Sequence, residues 1–95
     1  MTDKEAVLYS AVRGALRDDK LWMMEAVTRE VKPAVPYLGD DALGMMLGTV
    51  GRYVKRGREY EHDVKFLPEW VDFLQVLADE KMARDAYRKA REEKT

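Results

Sequence analysis

Several groups of side chains in this sequence have the types and spacing that chemistry requires. Glu59 and His62 stand in the Glu-x-x-His spacing that ligates iron in di-iron helical bundles. Such a centre needs two of these motifs, and His62 is the only histidine in the chain. A histidine set between Glu61 and Asp63 therefore reads as a surface group, and no metal is expected. The acidic pairs Asp18-Asp19, Asp40-Asp41, Asp79-Glu80 and Glu92-Glu93 resemble acid/base or cation-binding carboxylates in density only. The first two pairs directly precede helical patterns, where acids satisfy free amides and complement the helix dipole. Capping accounts for them without catalysis.

The nucleophiles are scarcer still. The chain has no cysteine, which removes disulfides, thiolate ligands and a thiol nucleophile together. Ser10 is its only serine and has no base nearby in sequence. Phosphate loops of the Gly-x-x-x-x-Gly-Lys type, Asp-x-Asp-x-Asp-Gly calcium loops and Gly-x-Ser-x-Gly elbows are all missing. The expectation is a protein that is not an enzyme and carries no cofactor.

Two groups could bind macromolecules. Arg52, Lys55, Arg56 and Arg58 form a cluster of four cations without an intervening acid. Lys81, Arg84, Arg88, Lys89, Arg91 and Lys94 form a second group, mixed with Asp79, Glu80, Asp85, Glu92 and Glu93. The first cluster makes nucleic-acid binding the main alternative reading. Against it, Asp40 and Asp41 occupy the helix end that a recognition helix would present to bases. A balance of 17 basic and 18 acidic residues, net −1, also weakens nonspecific attraction to phosphates.

The other group is apolar and small. The pairs Met23-Met24 and Met45-Met46 cannot both face a core, since adjacent helical positions differ by about 100°. Methionine adapts to irregular partner surfaces, so the outward members of these pairs, Met45 among them, with Trp22 or Tyr53 are candidate contact residues. Gly44, Gly48 and Gly51 fall on one side of a helix and cost about 2–3 kcal/mol in helix propensity. Such a penalty is offset where a second backbone approaches closely, within the chain or in another subunit.

The elements that position these residues follow from periodicity. Leu8, Ala11, Val12, Ala15 and Leu16 define the buried stripe of a first helix, with Thr2 and Glu5 spaced as a capping box. A second helix is expected from Lys20 to Lys32, capped by Asp18 or Asp19. Pro33 and Pro36 predict an irregular connection to Gly39, anchored by Tyr37 and Leu38. The third helix is expected from Asp40 or Asp41 to Arg56, with Leu43, Leu47, Val50 and Val54 inward and Gly57 as a left-handed cap. Residues 59–66 fit either a short extended segment, by the alternation of Tyr60, His62, Val64 and Phe66, or a helix, by Tyr60, Val64 and Leu67, before a last helix that opens at Leu67-Pro68-Glu69. Its stripe is bulky at Trp70, Phe73, Leu74 and Leu77, then thins to Met82, Ala83, Ala86, Tyr87 and Ala90.

An all-α domain over residues 1–95 results, with four main helices in a small bundle or orthogonal array. The last helix either packs or projects beyond residue 80. At 46% apolar and 37% charged, the chain can form a core and reads as a small soluble protein. No stretch reaches the ~20 apolar residues of a membrane span and no export signal opens the sequence, so a cytoplasmic protein is expected. The expected function is that of an adaptor, inhibitor or assembly factor that binds another protein, with a homodimer as one form. The candidate contact or close-packing residues are Gly44, Gly48, Gly51, Met45, Trp22, Met82 and Tyr87. Arg52, Lys55, Arg56 and Arg58 serve the nucleic-acid alternative.

Overall fold

The structure, a computed structural model, describes residues 1–59 and 65–93. Thr2 opens the first helix as expected. Its Oγ1 accepts from the Glu5 amide at 3.1 Å while Glu5 Oε1 accepts from the Thr2 amide at 2.9 Å, closing the capping box. The helix α1 spans Asp3–Asp18 and buries Val12 and Ala15, with Leu8, Ala11 and Leu16 packed half-buried beside them.

Its end departs from expectation. Asp19 does not cap the next helix; it closes α1 in the left-handed conformation, φ 51°, with its amide donating to the Ala15 carbonyl at 3.2 Å. Aspartate tolerates this region because its short side chain can bond locally. Lys20 then precedes α2 (Leu21–Ala26) without a side-chain cap.

The second helix is also shorter than the Lys20–Lys32 span. After Ala26 the backbone widens into a π turn over Val27–Val31 and then tightens into a 3₁₀ helix over Lys32–Tyr37. The prolines supply the reason. Pro33 brings no amide proton and its ring would strike the carbonyl of Arg29 in a regular α-helix. Widening the preceding turn moves that carbonyl away, and Pro33 starts the 3₁₀ segment where a missing donor is tolerated. The connection expected to be irregular is therefore helical. In a 3₁₀ helix residues three apart share a face, so Val35 and Leu38 are buried together while Tyr37 is 87% exposed. Tyr37 does not anchor the segment; Val35 and Leu38 do.

The third helix, α3, spans Asp40–Glu59. It runs past Gly57, which is buried inside the helix, and none of the described glycines has positive φ. Gly57 is therefore a core-facing residue and not a cap. Leu43, Met46, Val50 and Val54 point inward, and Leu47 lies half-buried. Each methionine pair splits as the geometry requires: Met24 and Met46 are buried, Met23 is half-buried and Met45 is exposed. Of the segment 59–66, Glu59 is helical, Lys65 and Phe66 form a turn, and residues 60–64 lie outside the described residues.

The last helix, α4 (Leu67–Glu93), buries Trp70, Phe73 and Leu77. Trp70 stacks edge-on against Tyr53 and Phe73, each with ring centroids 6.0 Å away. Contacts fix the arrangement. Glu5 meets Gly39, Tyr9 meets Thr49 and Asp19 meets Tyr53, so α1 and α3 run in the same direction. Tyr53 meets Trp70 while Asp40 meets Arg84, so α3 and α4 run antiparallel. One hydrophobic core draws on all of these helices, as an all-α bundle requires. Each fully buried Val, Leu or Met side chain contributes about 1.5–3 kcal/mol to it.

Candidate functional site

Leu77 is the last buried residue of α4, yet the helix continues through Glu93. Those 16 residues span about 24 Å at 1.5 Å each. The molecule is correspondingly long, 50 × 31 × 17 Å, with a radius of gyration of 14.3 Å against about 12.4 Å for a typical domain of this length. The C-terminal half of α4 projects more than it packs. Its apolar residues are exposed, Met82 and Tyr87 at 67% each, with Ala83, Ala86 and Ala90 on the same side. Ala83, Ala86, Tyr87 and Ala90 stand at i, i+3, i+4 and i+7, the spacing of one helix face.

A polar joint holds the base of this projection. Asp40, first residue of α3, accepts from Arg84 Nη1 at 3.0 Å and from Arg88 Nη2 at 3.1 Å. Arg84 also donates to Glu80 at 2.9 Å and to the Pro36 carbonyl at 3.4 Å. Lys81 pairs with Asp85 at 3.0 Å. Most of the cations on this stretch of α4 are thus committed to acids of the chain itself. Beside the joint, Pro36, Ala83 and Tyr87 form an open groove of about 780 Å³, rimmed by Asp40, Arg84, Arg88, Arg91 and Glu92. The guanidinium of Arg91 lies over the Tyr87 ring at 5.9 Å.

The glycine face has a different character from that expected within the chain. A Cβ at Gly44 would meet nothing within 4 Å, at Gly48 it would meet only Arg52 Nη1 at 3.8 Å, and at Gly51 the Leu74 methyl at 3.9 Å. No backbone of the described residues presses on these positions, so the intramolecular close packing is not there. Gly44, Met45 and Gly48 instead form an exposed strip on the outer side of α3, with Met45 46% exposed. Gly44 also borders a shallow depression with Lys81, Asp85 and Arg88 of α4, which brings the strip next to the base of the projection. Trp22 is 64% exposed at the start of α2 and is not gathered with the others.

Arg52, Lys55, Arg56 and Arg58 are all exposed along the last turns of α3. Arg13 of α1 joins them and was not among the candidates. Its guanidinium sits over Tyr9 at 5.9 Å, and Tyr9 reaches across the seam to Thr49 of α3 at 2.7 Å. Further along the same seam Tyr53 donates to Asp19 at 2.9 Å, and burial with that hydrogen bond pushes the Tyr53 hydroxyl up to about 12. For the Glu59 and His62 pair, Glu59 is exposed at the end of α3 and His62 lies outside the described residues.

No described helix is long and apolar enough to cross a membrane. No protein family, curated protein or solved structure matches the chain.

Two features of the site were beyond sequence reasoning. Asp40 and its arginines are separated by 44 and 48 residues, and no local pattern announces the joint. Pro36 entered only as a helix breaker, yet its carbonyl and ring help wall the groove.

Proposed function

We propose that this protein is a non-enzymatic interaction module that binds another protein through the exposed face of the C-terminal half of α4. The observation that carries this reading is the continuation of α4 for 16 residues beyond its last buried side chain, with Met82, Ala83, Ala86, Tyr87 and Ala90 left in solvent. An apolar stripe at helical spacing is complementary to an amphipathic helix laid along it. Alanines allow close approach of the two backbones. Tyr87 supplies the large amphipathic contact typical of binding hot spots, and Met82 adapts to an irregular partner. The partner is thus a helix of another protein with its own apolar stripe. A homodimer is the version in which that helix is α4 of a second copy.

The test compares the wild type with the variant Met82→Asp/Tyr87→Asp as baits in native lysate, alongside light scattering of both. A protein retained by the wild type and lost by the variant supports the reading, as does a dimer that the variant dissolves. Identical retained sets, with both proteins monomeric, refute it.

A further inference from the structure

The two basic groups of the chain have different standing once ion pairs are assigned. Lys81, Arg84 and Arg88 spend their charge on Asp85, Glu80 and Asp40. Arg13, Arg52, Lys55, Arg56 and Arg58 do not: among the described residues none of the five has a carboxylate within ion-pairing distance, and all are exposed. Asp18 is bonded to Arg17 at 3.1 Å, while Asp19 keeps its negative charge within the seam, where it accepts the neutral Tyr53 hydroxyl.

Geometry puts Arg13, Arg52 and Arg56 beside one seam. The Tyr9–Thr49 and Tyr53–Asp19 bonds knit α1 to α3 side by side. Arg13 borders that seam from α1, while Arg52 and Arg56 lie one turn apart on the α3 side. Lys55 and Arg58 carry the charge round the outer face of α3. Glu59 and the seam's own Asp19 are the acids beside these five cations, leaving a surplus of three positive charges among the described residues. Cations in the last turn of a helix also offset its dipole, which accounts for one or two of them. That term does not reach Arg13 on another helix, nor Arg52 two turns before the end. The surface is smooth as well, because Gly48 has no side chain and Arg52 lies back over it, 3.8 Å from the place a Cβ would take.

From this we infer that the α1–α3 seam is a second binding surface, independent of the α4 face, and that its ligand is the phosphate backbone of duplex nucleic acid. Three surplus charges along two parallel helices suit a regular array of phosphates. A single strand is the poorer fit, because sequence-tolerant single-strand binding depends on exposed aromatic platforms. Among the described residues the exposed aromatics, Trp22, Tyr37 and Tyr87, lie on other elements, and the hydroxyls of Tyr9 and Tyr53 are bonded within the seam. Contacts to phosphates carry no sequence information, so this binding is sequence-independent.

The test is fluorescence anisotropy with a labelled duplex of about 20 base pairs and the full chain. Arg13, Arg52, Lys55 and Arg56, each neutralising one phosphate, give a log–log salt slope of about −3.6, hence about 150-fold weaker binding at 200 mM than at 50 mM salt. Arg52→Gln/Arg56→Gln lowers the slope by about 1.8, and Arg13→Gln or Lys55→Gln by about 0.9 each. Lys81→Gln leaves it unchanged, and circular dichroism confirms that every variant remains helical. Slopes unaltered by the arginine variants overturn the inference, as does an equal loss with Lys81→Gln. Tighter binding of a single strand overturns the duplex assignment, and equal competition by polyglutamate overturns it in favour of an acidic protein.

Discussion

Replacing Gly44 with alanine stabilises this protein. A glycine in an exposed helix interior costs about 0.8–1 kcal/mol relative to alanine, through backbone entropy lost on folding. Whether alanine recovers that amount depends on room for the methyl group, and at Gly44 no atom beyond its neighbours and its own helix backbone lies within 4 Å of it. At Gly48 and Gly51 the nearest atoms, 3.8 Å and 3.9 Å away, are side-chain ends at ordinary contact distance. The single variant Gly44→Ala therefore gains about 0.8–1 kcal/mol. For a domain of this size that raises the melting temperature by roughly 4–8 °C. The triple variant gains about 2–3 kcal/mol if the sites add.

Urea unfolding followed by circular dichroism reads the change as a shifted midpoint at constant slope. A neutral or destabilising Gly44→Ala would show that something presses on that face, and the reasoning fails. Binding then separates folding from contact. If the strip serves a partner, the triple variant is more stable but binds less well. If binding is untouched, the glycines serve neither purpose.

Three further outcomes follow from the structure. Trp70 is fully buried and its Nε1 has no partner among the described residues, a stranded donor that costs about 1–3 kcal/mol. Trp70→Phe removes that penalty while leaving a small void, so its urea midpoint stays within about 1.5 kcal/mol of wild type, whereas Trp70→Ala loses about 3–5 kcal/mol. Glu5 accepts backbone amides of Thr2 and Gly39, which hold its carboxyl below the usual glutamate range. Its stabilisation is thus complete above the unfolded-state value near ~4.3 and is lost as pH falls through the lower folded value; Glu5→Gln flattens the stability profile across that window, and an unchanged profile contradicts the assignment. Asp40→Asn weakens two exposed ion pairs worth about 0.2–1 kcal/mol each, so global stability changes little. Amide exchange in residues 83–93 should accelerate while that of residues 70–77 holds; uniform acceleration along α4 argues against a local joint.

Local rules made much of the fold legible. The Thr2–Glu5 box, the start of α3 at Asp40, the entry of α4 at Leu67-Pro68 and the stripe through Trp70, Phe73 and Leu77 each depend on residues within a few positions of one another. The misses have a common physical origin. Gly57 has the residue type of a helix cap, but burial against the core lets α3 continue through it. Asp19 has the residue type of an N-cap, but Tyr53 from a distant helix binds its carboxylate and the backbone turns left-handed there. Tyr37 is apolar enough for the core, but the tighter 3₁₀ winding imposed by Pro33 rotates it outward. In the candidate site, the thinning stripe of α4 was visible in its spacing. The joint at Asp40 and the addition of Arg13 to the basic seam depend on tertiary proximity, which no window of sequence contains.

The projection of α4 also has a hydrodynamic consequence. Columns that sort by size respond to the volume a particle sweeps, not to its mass. Scaling the cube of the radius of gyration, 14.3 Å against about 12.4 Å, gives a swept volume about half as large again as that of a typical domain of this length. An 11.0 kDa monomer then elutes near the position of a globular standard of roughly 17 kDa, between one copy and two. Shortening the chain at Ala78 moves the peak far more than the lost mass alone would, while the scattered-light mass falls only in proportion to the residues removed. Elution volume thus reports the reach of the last helix, and scattering reports how many chains carry it.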